Sequence, residues 1–289
     1  LESTDMKGEI PAFISSFLNN KLLQKSKYSS ENGNLVGLLF TVDEETALRG
    51  AKTFAESKYA GYFASAIVPE PTALIPVRGH KGVLFTRFIT RGLAAHGSVP
   101  KKGVNAITLA MELYREIESL FKKERKMHKH PELGPPTMNL GMIKGGVAPN
   151  IVPEVCEMEL DRRITQGEQA KDILNNYKSA IKSLQSRSEG KLEMEVINHE
   201  PPYFLNKENP FLKSILNVTN LPPQVMNGYT EAGIYFNKAG ISSIILGPGS
   251  IDQAHVADET VPVTQLTEAE KLFSKIIANH MNGAYVGNT

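Results

Sequence analysis

The chain has 289 residues, of which 41% are hydrophobic and 22% charged, an ordinary composition for a globular protein with a buried core. Its 32 basic and 31 acidic residues give a net charge of +1 without a basic block, so the charge favours neither a nucleic acid nor a membrane surface as partner. Cys156 is the only cysteine, which excludes an intrachain disulfide and a cysteine-rich zinc site. No apolar run reaches the length of a membrane span, and residues 1–20 lack the layout of a signal peptide. These features predict a protein of the reducing cytoplasm.

Helix-like and strand-like segments alternate in the first 76 residues. Helices are predicted at Pro11–Leu23 and Thr46–Ser57, and the apolar run Leu35–Val42 between them predicts a strand buried on both faces. Tyr62–Val68 predicts the next strand. The alternation indicates an α/β fold with a mixed, mostly parallel sheet flanked by helices. In such sheets, functional residues collect at the carboxyl ends of the strands.

The pattern changes between residues 77 and 198. The predicted order is strand, helix, strand, strand, helix and strand, which is that of a ferredoxin-like α+β unit. The segments that predict it are Val83–Thr90, Asn105–Phe121, Thr137–Ile143, Val155–Leu160, Ala170–Leu184 and Leu192–Val196. We therefore expect a first domain in two parts, residues 1–76 and 199–289, around an inserted domain of residues 77–198.

The α/β pattern resumes after Pro201-Pro202. Ser242–Leu246 predicts another buried strand, which ends at the turn Gly247-Pro248-Gly249. Thr267–Glu270 has the pattern of a capping box and predicts the start of the final helix.

Acidic and imidazole side chains follow the predicted strands or lie in turns. Carboxylates together with imidazole suit zinc, manganese or cobalt. A pair of metals needs a bridging carboxylate, and a separate carboxylate must stay unligated to accept a proton from water. Each residue also has a simpler interpretation as a helix-opening acid, an N-cap, a solvated turn or a surface histidine. The five residues are Asp5, Glu44, Glu45, Glu70 and His255.

Six motifs, in family order across nearly the whole chain, resemble one family of di-zinc amidohydrolases. This family contains aminoacylases, acetylornithine deacetylases, succinyl-diaminopimelate desuccinylases and glutamate carboxypeptidases. The motifs are Thr4–Gly8, Thr41–Glu45, Pro69–Thr72, Ala95–Pro100 with Gly103–Ile107, Gly145–Asn150 with Asp161–Arg163, and Gly247–Gly249 with Ala254–His255.

The resemblance implies a site with two zinc ions, for which cobalt or manganese are alternatives. Asp5 is implied as the bridging ligand and Glu44 as the general base and acid. Glu45 and His255 are implied as ligands of one metal, and Glu70 as a ligand of the other. The implied reaction is hydrolysis of the amide bond of an N-acyl amino acid or small peptide by metal-activated water.

The resemblance also assigns roles to the inserted domain, which it implies to be a lid that forms a homodimer. His96 resembles a histidine that reaches the partner subunit's site and supports the developing oxyanion. Asn150 and Arg163 resemble residues that hold the substrate's polar groups and carboxylate. Simpler interpretations are that Asn150 sets a turn and that Arg163 pairs across strands.

One family feature has no match in the chain. The family's first metal ligand is a histidine in a His-x-Asp motif before the position of Asp5, and none of the seven histidines occupies it. We therefore expect a further segment upstream of Leu1 that carries this ligand and the opening strands of the sheet. The leading hypothesis is a deacylase of the acetylornithine or succinyl-diaminopimelate type. The alternatives are a carboxypeptidase or dipeptidase of the same family and a non-catalytic, metal-poor relative.

Overall fold

The computed structural model describes residues 9–20, 36–44, 47–253 and 258–282. These residues divide into two compact units, each with its own sheet. The described parts of Leu1–His80 and Tyr203–Thr289 form the first unit, and Lys81–Pro202 forms the second, the inserted unit. Each division lies four residues after the predicted boundary, at 76/77 and at 198/199.

The elements are numbered along the chain. The helices are α1 (Glu9–Leu18), α2 (Arg49–Ala55), α3 (Ala106–Met127), α4 (Ala170–Gln185), α5 (Pro210–Thr219), α6 (Glu231–Ala239) and α7 (Val263–Met281). The strands are β1 (Ser65–Val68), β2 (Val77–His80), β3 (Gly82–Arg91), β4 (Thr137–Gly145), β5 (Val155–Ile164), β6 (Lys191–Glu200), β7 (Tyr203–Phe204), β8 (Gln224–Met226) and β9 (Ser242–Ile245). Within the described ranges, no helix is long and apolar enough to cross a lipid bilayer.

The first unit contains a mixed sheet with helices packed against it. The strand order is β1-β9-β2-β7, with β8 beside β2. β1 and β9 are parallel, with Val68 opposite Ile245, and β2 is antiparallel to β9. Helix α6 packs against both β1 and β9. Because β1 and β9 are parallel neighbours, their carboxyl ends lie side by side at one edge of the sheet.

The predicted buried strand at Leu35–Val42 is wrong over its described part. Residues 36–42 have no strand structure, and no described strand pairs with them. Leu39, Phe40 and Val42 are exposed instead of buried. An apolar run forms a strand only where a neighbouring strand accepts and donates its backbone hydrogen bonds, and composition alone does not supply that neighbour.

Two helices begin three or four residues from their predicted starts, and the other shifts are smaller. α2 begins at Arg49 instead of Thr46, because Leu48 has a left-handed backbone (φ 54°) that a right-handed helix does not include. α7 begins at Val263, four residues before the predicted capping box. The Thr267 hydroxyl donates to the Val263 carbonyl (3.3 Å) inside the helix, so it does not cap the helix.

The inserted unit has the predicted order of strands and helices. Its antiparallel sheet has the order β4-β5-β3-β6, and the complete arrangement β-α-β-β-α-β is ferredoxin-like. Asn105 caps α3 by accepting a hydrogen bond from the Thr108 amide (3.1 Å). The buried face of α3, with Leu113 and Ile117, packs with Tyr177 of α4 in the core. The expected fold class, an α/β domain with an inserted α+β domain, is confirmed.

A buried ion-pair network lies in the core of the inserted unit. Arg162 of β5 is fully buried and pairs with Glu124 of α3 and with Glu168. The second oxygen of the Glu124 carboxylate accepts a hydrogen bond from the side chain of Asn176. Buried charges of this kind are tolerated only when every partner is present.

Replacing Glu124 by alanine should therefore strongly destabilise the inserted unit. The change removes one partner from the buried Arg162 and one from the half-buried Asn176. We expect a loss of about 3 kcal/mol in the free energy of unfolding, measured by urea denaturation. Glu118→Ala is the matched control, because Glu118 lies on the same helix and pairs with Lys122 at the surface. Equal effects of the two changes would contradict a special role of the buried network.

Candidate active site

Glu70 lies at the edge of the first unit's sheet, directly after β1. The chain after β1 is joined to the chain after β9 by hydrogen bonds. The Leu246 amide donates to the Val68 carbonyl (2.9 Å), and the Thr72 amide donates to the Gly247 carbonyl (3.3 Å). The Glu70 side chain is buried, with 8% of the residue exposed. The segment after β1 and the segment after β9 are thus hydrogen-bonded to each other. This is the place where binding sites form in sheets with parallel strands, at the strands' carboxyl ends.

The segment that follows Glu70 has a strained backbone. Ala73 (φ 53°) and Leu74 (φ 60°) both adopt left-handed conformations, which are unfavourable for residues with a Cβ atom. Their amides donate to the carbonyls of Gly249 (2.6 Å) and Gly247 (2.9 Å). Strain of this kind persists only where the surrounding contacts hold it, and it often occurs at functional sites.

Glu44 lies in a turn before α2 and is partly exposed. Asp43, the preceding residue, has a left-handed backbone (φ 66°), and its carbonyl accepts a hydrogen bond from the Leu48 amide (2.8 Å). The Asp43 carboxylate also pairs with the Arg49 guanidinium (2.9 Å). The turn that carries Glu44 is thus held at both ends by its own contacts.

Glu231 and Tyr235 lie beside this turn, although the sequence analysis did not single them out. The buried Glu231 carboxylate accepts hydrogen bonds from the Thr41 hydroxyl (2.6 Å) and from the Tyr235 hydroxyl (2.8 Å). Burial, followed by the charge of Glu231, raises the pKa of Tyr235, and the charge of Glu44 adds to this shift. Tyr235 therefore stays protonated and acts as a hydrogen-bond donor. An acid at the start of a helix is so common that its presence alone would not have indicated this cluster.

Three of the predicted metal ligands, Asp5, Glu45 and His255, lie outside the described residues. Glu70 is the predicted ligand that the structure describes, and a buried carboxylate at a strand end is a suitable donor for a divalent metal. Within residues 9–20, 36–44, 47–253 and 258–282, no group of three or more potential ligands could hold a metal ion. Glu70 thus fits a divalent metal through its carboxylate chemistry and its burial, and the other three predicted ligands lie outside the described residues.

In the inserted unit, the loops that carry His96 and Asn150 contact each other. His96 forms an isolated antiparallel bridge with Ile151, and the Gly97 amide donates to the Asn150 carbonyl (2.7 Å). A Cβ atom at Gly97 would lie 2.9 Å from the Asn150 carbonyl carbon, so this close approach requires glycine. The structure thus places two of the predicted site residues, which are 54 positions apart in the sequence, next to each other.

The contacts of the His96 ring indicate which nitrogen carries its proton. The Ser98 amide donates to Nδ1 of His96 (3.2 Å), and the Ser98 hydroxyl lies 2.7 Å from the same atom. Because a backbone N–H can only donate, Nδ1 accepts, and the proton of the neutral ring is on Nε2. The exposed edge of His96 is therefore a hydrogen-bond donor, which is the form needed to support a developing oxyanion.

An open pocket of about 550 Å³ lies beside these two loops. Its lining residues are mostly glycine, proline and other small or apolar residues. It includes Gly97, Asn105, Gly146, Pro149 and Ile151.

Arg163 lies at the other end of β5, away from these loops. Its guanidinium binds the Asp161 carboxylate through Nε (2.9 Å) and Nη2 (2.9 Å). Asp161 is two residues earlier on the same strand, so the ion pair of Arg163 runs along the strand. Its guanidinium also lies over the Phe85 ring of the neighbouring strand β3, 5.7 Å from the ring centroid. A substrate carboxylate that binds Arg163 would therefore share the guanidinium with Asp161 or displace the Asp161 carboxylate from it.

Comparison with known proteins adds family information to this geometry. Residues 78–189 match a family model described as a peptidase dimerisation domain, M20_dimer. The acetylornithine deacetylase of Vibrio atlanticus is 33% identical over 285 residues, which cover 97% of this chain and 72% of that protein.

Two solved structures share the fold. The M20 metallo-carboxypeptidase Sso-CP2 of Sulfolobus solfataricus has a TM-score of 0.74 at 18% identity, covering 97% of this chain and 77% of that one. Aminopeptidase PepT of Bacillus cereus has a TM-score of 0.67 at 22% identity, covering 84% and 63%. The extent and identity of the match to the deacetylase show that the chain belongs to the M20 family of metallohydrolases, which includes the acetylornithine deacetylases.

Proposed function

We propose that the protein hydrolyses the amide bond of an N-acyl amino acid, in the manner of an acetylornithine deacetylase or a succinyl-diaminopimelate desuccinylase. The observation that carries this proposal is the 33% identity to an acetylornithine deacetylase over 97% of the chain. The position of Glu70 at the joined ends of β1 and β9 supports it, since catalytic residues of α/β sheets collect there.

Two zinc ions are the proposed cofactor. Asp5 is proposed to bridge them, with Glu45 and His255 as ligands of one ion and Glu70 as a ligand of the other. When bound, such a pair polarises the amide carbonyl and makes water acidic enough to lose a proton near neutral pH.

The proton transfers are assigned to Glu44. In this proposal its carboxylate accepts a proton from water and passes it to the amine nitrogen as the amide bond breaks. The Nε2–H of His96 donates a hydrogen bond to the carbonyl oxygen as negative charge develops there. The contact between Ser98 and Nδ1 supports this role of His96, because it keeps the proton on Nε2.

A homodimer is proposed to complete each site. Asn150 precedes β5, whereas Arg163 lies eight residues after the first residue of that strand. At the usual rise per residue, the strand between Val155 and Arg163 is about 27 Å long. A small N-acyl amino acid cannot bridge that distance. The separation therefore supports a site that receives Arg163 from one subunit and His96 with Asn150 from its partner.

Hydrolysis of a substrate panel by the full-length, zinc-loaded protein tests this function. We expect acetylornithine or succinyl-diaminopimelate to be cleaved with a kcat/KM at least about tenfold above that for acetyl-lysine and dipeptides, which corresponds to one or two specific pocket contacts. A preference for dipeptides would show a peptidase of the same family. No hydrolysis of any member by protein with full zinc content would contradict an enzymatic role.

A further inference from the structure

The Glu231 carboxylate joins α6 to the segment that leads to Glu44. One oxygen accepts from the Thr41 hydroxyl (2.6 Å), and the other accepts from the Tyr235 hydroxyl (2.8 Å). Thr41 precedes Glu44 by three residues, and 190 residues separate it from Glu231 in the sequence. This long-range contact attaches the segment before Glu44 to α6, which packs against the sheet of the first unit.

The position of the Glu231 side chain is restricted by its helix and by its burial. It is the first residue of α6, where the helix dipole stabilises a negative charge. The Thr230 side chain caps the same helix by accepting from the Ala232 amide (3.2 Å). Tyr235 lies one turn further along α6 and is buried, and its hydroxyl donates a hydrogen bond to the Glu231 carboxylate. The Glu231 side chain is therefore oriented by a residue of its own helix. Only 7% of Glu231 is exposed, so water competes little for its carboxylate.

The two described stretches around Glu44, residues 41–44 and 47–50, are joined by hydrogen bonds. The Gly50 amide donates to the Val42 carbonyl (3.1 Å), next to Thr41. A Cβ atom at Gly50 would lie 2.6 Å from the Val42 amide nitrogen, so the two ends of the turn are in close contact. Glu44 follows two residues after Val42, so a bond at Thr41 restricts the position of the backbone from which the Glu44 side chain extends.

We propose that Glu231 is a positioning residue for the general base, and that it acts through Thr41 to hold the turn carrying Glu44. This inference rests on the proposed role of Glu44 in catalysis. Glu231 itself is not proposed to contact substrate or metal. Two hydroxyl donors to one buried carboxylate make a rigid support, and a displacement of about 1 Å at a catalytic group costs up to a hundredfold in rate.

Thr41→Val tests this inference, with Thr41→Ser as the matched rescue. Valine has nearly the shape of threonine but lacks the donor, whereas serine keeps it. In the full-length, zinc-loaded protein, Thr41→Val should lower kcat by about tenfold or more while KM changes by less than about threefold. Thr41→Ser should recover most of the lost kcat. Thr219→Val is a further control, because the Thr219 hydroxyl donates to the Ile215 carbonyl of its own helix (3.1 Å).

A double variant separates positioning from a general structural role. In a Glu44→Gln background, Thr41→Val should cause no further loss, because no base remains to be positioned. Normal kcat in Thr41→Val, an equal loss in Thr41→Ser, or an additive loss in the double variant would each overturn the inference. If Glu44→Gln is inactive but Thr41→Val is not, only the positioning inference fails. If Glu44→Gln stays active, the proposed role of Glu44 fails, and this inference fails with it.

Discussion

Replacing Glu44 by glutamine should lower turnover by about two to four orders of magnitude, the usual contribution of a general base. Glutamine has almost the same shape as glutamate but cannot accept a proton from water. The partly exposed position of Glu44 in its turn suggests little effect of the substitution on folding. The measurement is kcat on the best substrate of the panel, with bound metal determined on the same sample.

The neighbouring residue supplies the control. Glu45→Gln should lose bound metal, because Glu45 is the proposed ligand, whereas Glu44→Gln should keep it. Comparing metal content in the two variants thus separates loss of the base from loss of the cofactor. Near-normal turnover in Glu44→Gln with full metal content would show that another group is the base.

Mixing two inactive variants should restore activity if His96 acts in the partner's site. His96→Ala removes an oxyanion donor and should lower turnover by about a hundredfold or more. In a heterodimer with a Glu44→Gln chain, the His96→Ala subunit keeps its own Glu44 and receives His96 from its partner. One of the two sites is then complete, so we expect about half of the parent activity per dimer.

The reciprocal arrangement is the matched control. A chain with both changes, paired with a parent chain, has no complete site if His96 acts across the interface. If His96 acts within its own chain, the parent subunit remains active, and the first mixture stays inactive. Purifying the mixed dimers through two different affinity tags ensures that homodimers do not contribute. The two mixtures must therefore give opposite results.

Patterns along the sequence predicted the inserted unit well. The strand-like runs of β3 and β5 and the helical periodicity of α3 and α4 are local properties, so they indicate the type of each element directly. The ferredoxin-like order follows from those elements, because only a few topologies bury them all. Glu70 was singled out for a similar reason, since it follows an apolar strand, and its role as a metal ligand stays a prediction.

Tertiary structure decided the features that depend on a distant neighbour. Leu35–Val42 has the composition of a buried strand, but the described part of it has no strand beside it and is not one. The start of α2 depends on the left-handed backbone of Leu48, which no residue type at that position predicts.

The same division applies to the candidate site. Motifs identified His96 and Asn150 as separate residues, and the sequence alone determined their chemistry. Their contact through Gly97, the proton position set by Ser98, and the bond from Thr41 to Glu231 exist only in the folded chain. The physical reason is that a side chain's functional groups are fixed by its type, whereas its partners are fixed by long-range packing. The sequence thus determined which groups could take part in catalysis. The tertiary structure decided which of these groups have fixed positions and which residues hydrogen-bond to them.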